Sequence, residues 1–265
     1  MTLEIIAHLG ESDPVMKRLI AAAGPYAPAS LEDRSPYEAL ARAIAHQQLN
    51  GKAAESILNR FISTCGQGGF PAPEDLLGLE DAALRSCGFS FSKIAALRDL
   101  AAKTVSGVVP ERDALHPLND LEIIERLTAV RGIGRWTVEM LLMFQLRRPD
   151  VLPVADFGVR HGFRLAYGLK KMPDPKVLAL FGERWAPHRS AAAWYLWRAV
   201  DLHREGRLPR PAQAPVLPRP PRKRRKAARK LKRAAVSAAR PARSGARTRA
   251  RRRPAPRSRA PAKKK

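Results

Sequence analysis

Apolar residues recur three or four positions apart along most of the chain, and polar punctuation cuts them into short segments, the signature of packed amphipathic helices. Val15, Leu19 and Ile20 mark one face of a helix over residues 12–23, which Gly24-Pro25 ends. Ser35-Pro36-Tyr37-Glu38 is a helix start, with Ser as N-cap, Pro in the first turn and Glu closing a capping box. That helix runs through Leu40 and Ile44 to about Gln48. Asn50-Gly51 interrupts it, and the next carries Ala54, Ile57, Leu58 and Phe61. Residues 66–73 read as a loop, 73–77 and 80–86 as short helices with Gly88 behind the second, and 90–105 as a helix with Ile94, Leu97, Leu100 and Ala101 inward. Leu121, Ile124, Leu127 and Val130 predict a helix leading into Arg131. Val138, Leu141, Leu142 and Gln145 resume the period after Gly132-Ile133-Gly134. Asp156 opens or precedes a helix containing Val159, Phe163 and Leu165, and residues 174–184 and 189–204 form the last two. No segment alternates as a strand would and no repeat is visible, so the fold class is all-α.

Charge divides the chain. Of its 49 Lys and Arg residues, 23 lie from Pro209 onward, where there is no Asp or Glu; residues 1–208 keep 26 against all 24 acidic residues. A nearly neutral globular domain, 1–208, is thus followed by a polycationic tail, 209–265, with ten prolines. Such a tail cannot bury a core and repels itself, so it is expected to be disordered when free. With no acidic residue, it is suited to non-specific DNA through the phosphates rather than to mere solubilisation. No apolar run is long enough to cross a bilayer, and no N-terminal stretch has the build of an export signal. No membrane partner is therefore expected, and the expected location is the cytoplasm, at the bacterial nucleoid. Cys65 and Cys87 are too few for a four-thiolate cluster or a zinc site and read as ordinary thiols.

The chemistry is concentrated in one stretch. Gly132-Ile133-Gly134 between two helices makes a tight hairpin with a bare backbone, and the unpaired amides of the following helix, at its positive end, can seat a phosphate oxygen. Beyond it, Asp156 stands among Val154, Ala155, Phe157 and Val159, a lone carboxylate in apolar company. Spacing alone equally suits an N-cap for the next helix, and a capping carboxylate can serve both purposes.

Val130-Arg131-Gly132-Ile133-Gly134-Arg135-Trp136-Thr137, with Leu152-Pro153 and Asp156 after it, resembles the helix-hairpin-helix DNA glycosylase superfamily. Trp136, together with the blocks His46-Gln47-Gln48-Leu49 and Arg184-Trp185-Ala186-Pro187-His188-Arg189-Ser190, is most similar to the 3-methyladenine DNA glycosylase II branch. The likeness covers roughly residues 12 to 205. It implies two packed helical subdomains with an active-site cleft between them, and excision of alkylated purines from double-stranded DNA by a monomer without a cofactor. It also implies roles. Gly132, Ile133 and Gly134, with Thr137 close by, would anchor the DNA backbone. Gln48 or its neighbour Leu49 would fill the hole left by the flipped base, although Gln48 also suits a solvated helix end and Leu49 a core position. Trp136, Met140, Phe157 and Trp197 would line the base pocket, with Met140 where better-known bacterial enzymes have an aromatic. Trp185 and Trp194 are left as core. Asp156 would be the catalytic carboxylate.

Bifunctional relatives carry a lysine where this chain has Trp136, so the expected enzyme is monofunctional and leaves an intact abasic strand. Several relatives hold an iron–sulfur cluster, for which this chain lacks cysteines; many place a monovalent cation among the hairpin carbonyls. His46, His116, His161 and His188 are too scattered for a metal site. Two rivals stay open: a non-enzymatic protein that coats or compacts DNA, and a glycosylase for uracil or an oxidised base.

Overall fold

The computed structural model describes residues 2–28, 34–66, 68–210 and 215–218. Among them are thirteen α-helices and no strand: α1 (Thr2–Ser12), α2 (Pro14–Ala23), α3 (Pro36–His46), α4 (Gly51–Cys65), α5 (Pro73–Gly78), α6 (Asp81–Ser86), α7 (Phe91–Val105), α8 (Arg112–Leu115), α9 (Asp120–Thr128), α10 (Arg135–Phe144), α11 (Phe157–Ala166), α12 (Pro175–Gly182) and α13 (Arg189–Arg204), with a 3-10 turn at Glu183–Trp185. None is long and apolar enough to cross a membrane. The chain divides at residue 220 into Met1–Pro220 and Pro221–Lys265. The second unit, and with it most of the tail expected to be disordered, lies outside the described residues. The first extends past Leu208, because both Leu208 and Leu217 pack against the C-terminal core.

Two hydrophobic cores organise the first unit. Helices α3 to α10 bury one around Leu40, Ile44, Phe61, Leu97, Leu127 and Leu142. Helices α11 to α13 bury the other around Phe163, Phe181, Trp185 and Leu196, and the N-terminal pair α1 and α2 joins it. The chain therefore leaves the second subdomain, builds the whole of the first, and returns. Asp13 fixes this closure. Its carboxylate caps α2 through the amides of Val15 (2.9 Å) and Met16 (3.3 Å), and accepts from Tyr167 Oη at 2.5 Å and Trp185 Nε1 at 3.1 Å.

Three expectations are corrected. The first helix is α1, ending where Asp13-Pro14 starts α2; its only buried residues, Ile5 and Leu9, are too few to stand out as a period. Leu121 is 67% exposed, and Ile123 takes the inward place beside Ile124 and Leu127. Ser35 accepts from the Glu38 amide at 3.2 Å, but the Glu38 carboxylate turns to Arg42 at 2.7 Å, so half of the capping box forms. A full box forms instead at Asn119 and Glu122.

The crossing between subdomains is short and locked. Arg189, opening α13, pairs both its Nε and Nη2 with Asp150 at 2.7 Å. Ser190 Oγ donates to the Arg148 carbonyl at 2.6 Å and accepts from the Val151 amide at 2.9 Å. Burial opposes the Asp150 charge, but the Arg189 hydrogen bonds outweigh it and hold the carboxyl below its usual range. Residues 151–155 thus deliver Asp156 from a fixed point.

Candidate active site

Asp156 is the N-cap of α11, and three N–H donors hold its carboxylate. Oδ1 accepts from the Val159 amide at 2.6 Å and from Trp197 Nε1 at 2.9 Å; Oδ2 accepts from Trp136 Nε1 at 2.8 Å. The two indoles come from different subdomains, Trp136 from the first turn of α10 and Trp197 from α13. A carboxylate has about four acceptor sites; three are taken, leaving room for one partner more. The cap and the candidate catalytic group are the same side chain, as the sequence allowed.

Gly158 makes this arrangement possible. A Cβ there would lie 2.7 Å from Trp197 Cδ1, 2.9 Å from Trp197 Nε1 and 3.2 Å from Asp156 Oδ1. Gly158→Ala is expected to push the indole off the carboxylate and slow the reaction that Asp156 serves by about 10-fold, the worth of one hydrogen bond to a charged group. Single-turnover kinetics check it; a rate equal to wild type would show that Trp197 does not orient Asp156.

The hairpin lies in the same stretch of chain as Trp136. Gly132 has φ 78°, in the left-handed region that glycine adopts without strain, and a Cβ there would meet that of Ala96 at 3.3 Å. Gly134 caps α10 with no side-chain partner for the first amides. Gly132 and Gly134 are exposed, whereas the Ile133 side chain is buried in the first core and its amide turns inward to the Val130 carbonyl at 3.1 Å. The surface open to a phosphate is therefore the bare glycines and the start of α10. Thr137 is buried and lines the adjacent cavity.

Helix α7 braces the turn. Asp99 Oδ2 accepts from the Arg131 amide at 2.6 Å, and Lys103 Nζ bridges Asp99 (2.7 Å) and the Ala129 carbonyl (2.8 Å). Burial alone would raise the Asp99 carboxyl; these donors outweigh it and hold it below its usual value. The brace is complete above the ordinary carboxylate pKa and is lost as pH falls through the lowered folded value. Helix α3 holds the turn from the other side, through Gln47 Nε2 on the Gly132 carbonyl at 2.8 Å. Three hairpin carbonyls, those of Ala129, Val130 and Gly132, are thus already committed to Lys103, Ile133 and Gln47.

Between α3 and α10 opens a cavity of about 570 Å³, with Trp136, Met140 and Phe144 on one wall and His46, Gln47 and Gln48 on the other. Trp136, 49% exposed, contributes to both the cavity and the carboxylate. Trp197 stands behind, stacked on Phe144 at 5.9 Å and 24°. Phe157 does not line this cavity: it is 68% exposed and stacks on His161 at 5.5 Å. Gln48 and Leu49 both lie on the exposed turn after α3, and Leu49 is 40% exposed rather than core. Trp185 is fully buried and Trp194 partly so in the C-terminal core. No described residue lining the cavity is a lysine.

Sequence reasoning did not single out Gln47, Asp99, Lys103, Gly158 or Glu139. Glu139, 3% exposed, pairs with Arg135 at 2.8 Å and fixes that guanidinium beside the hairpin. Burial pushes the Glu139 carboxyl above its usual range, against the pull of Arg135. Gln47 does fall within the His46–Leu49 block, which was the one available signal.

Residues 41–187 match a family described as "HhH-GPD superfamily base excision DNA repair protein". The chain is 46% identical over 196 residues to DNA-3-methyladenine glycosylase 1 of Schizosaccharomyces pombe, a match that spans 74% of this chain and 86% of that protein. It superposes on the solved structure of the S. pombe 3-methyladenine DNA glycosylase in complex with abasic DNA with TM-score 0.67, at 45% identity, over 74% of this chain and 95% of the other. A DNA-3-methyladenine glycosidase from Bacillus halodurans gives TM-score 0.69 at 34% identity, over 76% and 91%.

Proposed function

The chain belongs to the HhH-GPD superfamily of base excision DNA repair proteins, and on that premise we propose that it is a monofunctional glycosylase releasing alkylated purines of the 3-methyladenine and 7-methylguanine type. The observation that carries this reading is Asp156, held by an amide and two indoles, one of which, Trp136, follows the bare-backbone hairpin and also lines the aromatic-walled cavity.

The bond to be broken lies inside the duplex, so the nucleotide must be extruded. The amides opening α10 receive a backbone phosphate beside it, with the positive end of the helix behind them. Gln48 and Leu49 enter the vacated stack. An alkylated purine carries a positive charge, which the Trp136 face attracts by about 0.5–2 kcal/mol. Met140 adds a flexible apolar wall that tolerates bases of different outline. As the C1′–N bond breaks, its electron pair leaves with the base and discharges it, so no strong general acid is needed. The sugar left behind is an oxocarbenium ion, which the fixed Asp156 carboxylate stabilises. Water then bonds to C1′, and its proton passes to Asp156 and on to solvent. The position after the hairpin holds Trp136, not an amine, and the delocalised guanidinium of Arg135 is no nucleophile.

Base release from duplexes carrying one alkylated purine, one uracil or one 8-oxoguanine tests this. Release is expected from the first alone, and borohydride with abasic DNA should trap no covalent adduct. Selective release of uracil or the oxidised base, or efficient trapping at a lysine, would contradict the reading.

The tail is proposed to tether the monomer to DNA at the bacterial nucleoid in the cytoplasm. Truncation after Pro220 removes 21 of the 49 basic residues and spares Leu217. Affinity for undamaged DNA should fall, most at low salt, and its salt dependence should flatten by about 0.9 for each phosphate that is no longer neutralised. Excision at saturating enzyme should stay near wild type. Its collapse would mean that the tail takes part in the reaction.

A further inference from the structure

Gln47 joins two elements that are remote in sequence. Its backbone N–H closes the end of α3 on the Ile44 carbonyl, while its side-chain Nε2 donates to Gly132 O at 2.8 Å. The peptide unit bearing that carbonyl carries the Ile133 N–H, which donates to Val130 O. Both ends of the unit are therefore fixed, immediately before the amides that open α10. On its other side Gln47 is followed by Gln48, at φ 58°, in a left-handed conformation unfavourable for a residue with a Cβ, and by the exposed Leu49. The Leu49 amide returns to the His46 carbonyl at 3.2 Å and closes the turn. Strain of this kind persists only where the surroundings hold it, and the Gln47 bond is one such hold.

We propose that Gln47 is a positioning residue that fixes the spacing between the hairpin, where the strand is gripped, and the Gln48–Leu49 pair, where the base stack is entered. The reaction it serves rests on the glycosylase reading above, but the spacing does not. With a phosphate seated on the hairpin, the neighbouring base step lies at a set distance from it. A wedge displaced by about 1 Å meets the edge of a base instead of the gap. Gln47 touches no reacting atom; it makes phosphate seating and stack entry one event.

The test uses the full chain, with Gln47→Met (similar length, no donor) and Gln47→Glu (a carboxylate against the carbonyl). The probe is a duplex with a tetrahydrofuran abasic site and 2-aminopurine opposite it, which fluoresces when unstacked. Wild type should raise the fluorescence at saturation, and both variants should bind with a smaller rise, Gln47→Glu smallest. Excision of an alkylated purine from duplex should slow about tenfold in Gln47→Met, the worth of one hydrogen bond. Excision from single-stranded DNA, where no stack is opened, should fall less than excision from duplex, because there Gln47 counts only as part of the cavity wall. An unchanged fluorescence rise in both variants, no rise with wild type, or an equal fall in excision on both substrates would overturn the proposal. If wild type released no alkylated base while the fluorescence behaved as stated, the substrate reading would fail and the coupling would stand.

Discussion

Asp156→Asn is expected to slow base release by roughly 10²–10³-fold or more, the scale at which a preorganised charge facing a developing charge is worth most. The substitution is nearly isosteric, and asparagine caps helices about as well as aspartate. The Val159 amide therefore keeps its partner and α11 keeps its start. What changes is the other oxygen. The amide NH₂ that replaces it cannot accept from Trp136, and it offers an oxocarbenium ion no counter-charge. DNA affinity, set by the hairpin amides and the tail, should stay within a few-fold of wild type. Single-turnover release alongside a binding titration separates these effects. If the asparagine variant kept most of its activity, the carboxylate would be a helix cap and nothing more. A protein that only coats DNA would show no release to lose.

Gly162→Ala should be the most damaging single change to the fold. The α11 and α13 backbones approach so closely that a Cβ at 162 would stand 1.8 Å from the Leu196 carbonyl oxygen and 2.6 Å from its carbon. Neither atom can rotate away, so the two helices must separate. They are the spine of the C-terminal core, and they carry Asp156 at the start of one and Trp197, next to Leu196, on the other. The expected cost is on the order of 3 kcal/mol or more, at or beyond the top of the usual range for overpacking. Urea melts at a common slope would measure it. A variant as stable as wild type would show that the helices can part without loss. Even where Gly162→Ala stays folded, parting the helices should lengthen the 2.9 Å contact between Trp197 and Asp156, so activity should fall with stability.

Much of this architecture was legible from periodicity. Val15, Leu40, Ile94, Leu127 and Leu142 face inward as their spacing predicted, because each lies on a segment long enough for one side to dominate. What stayed hidden was which segments share a core. Nothing in the composition of residues 2–23 says that they pack with α11 to α13 instead of with their neighbour α3; that depends on Asp13 meeting Tyr167 and Trp185. Helices α1 and α8 were hidden for a related reason, since α1 buries only Ile5 and Leu9 and α8 only Leu115. The site divided in the same way. The hairpin glycines and Asp156 carry local signals: a backbone that needs positive φ, and a charge in apolar company. Trp136 and Trp197 were legible as aromatics but not as hydrogen-bond donors, because rings announce apolar surface and say nothing of where an N–H points. Phe157, adjacent to Asp156 in sequence, turns outward onto His161 because the first turn of α11 rotates it away from the cavity. The Gln47 tie and the Asp99–Lys103 brace join residues whose distance in sequence leaves no periodic trace.

The most direct test of the account is to incubate the full chain with methylated duplex DNA and chromatograph the bases that come free. The account predicts 3-methyladenine and 7-methylguanine in solution above the spontaneous rate, from strands that stay unbroken until treated with alkali. Methylated bases released no faster than in buffer alone would contradict it.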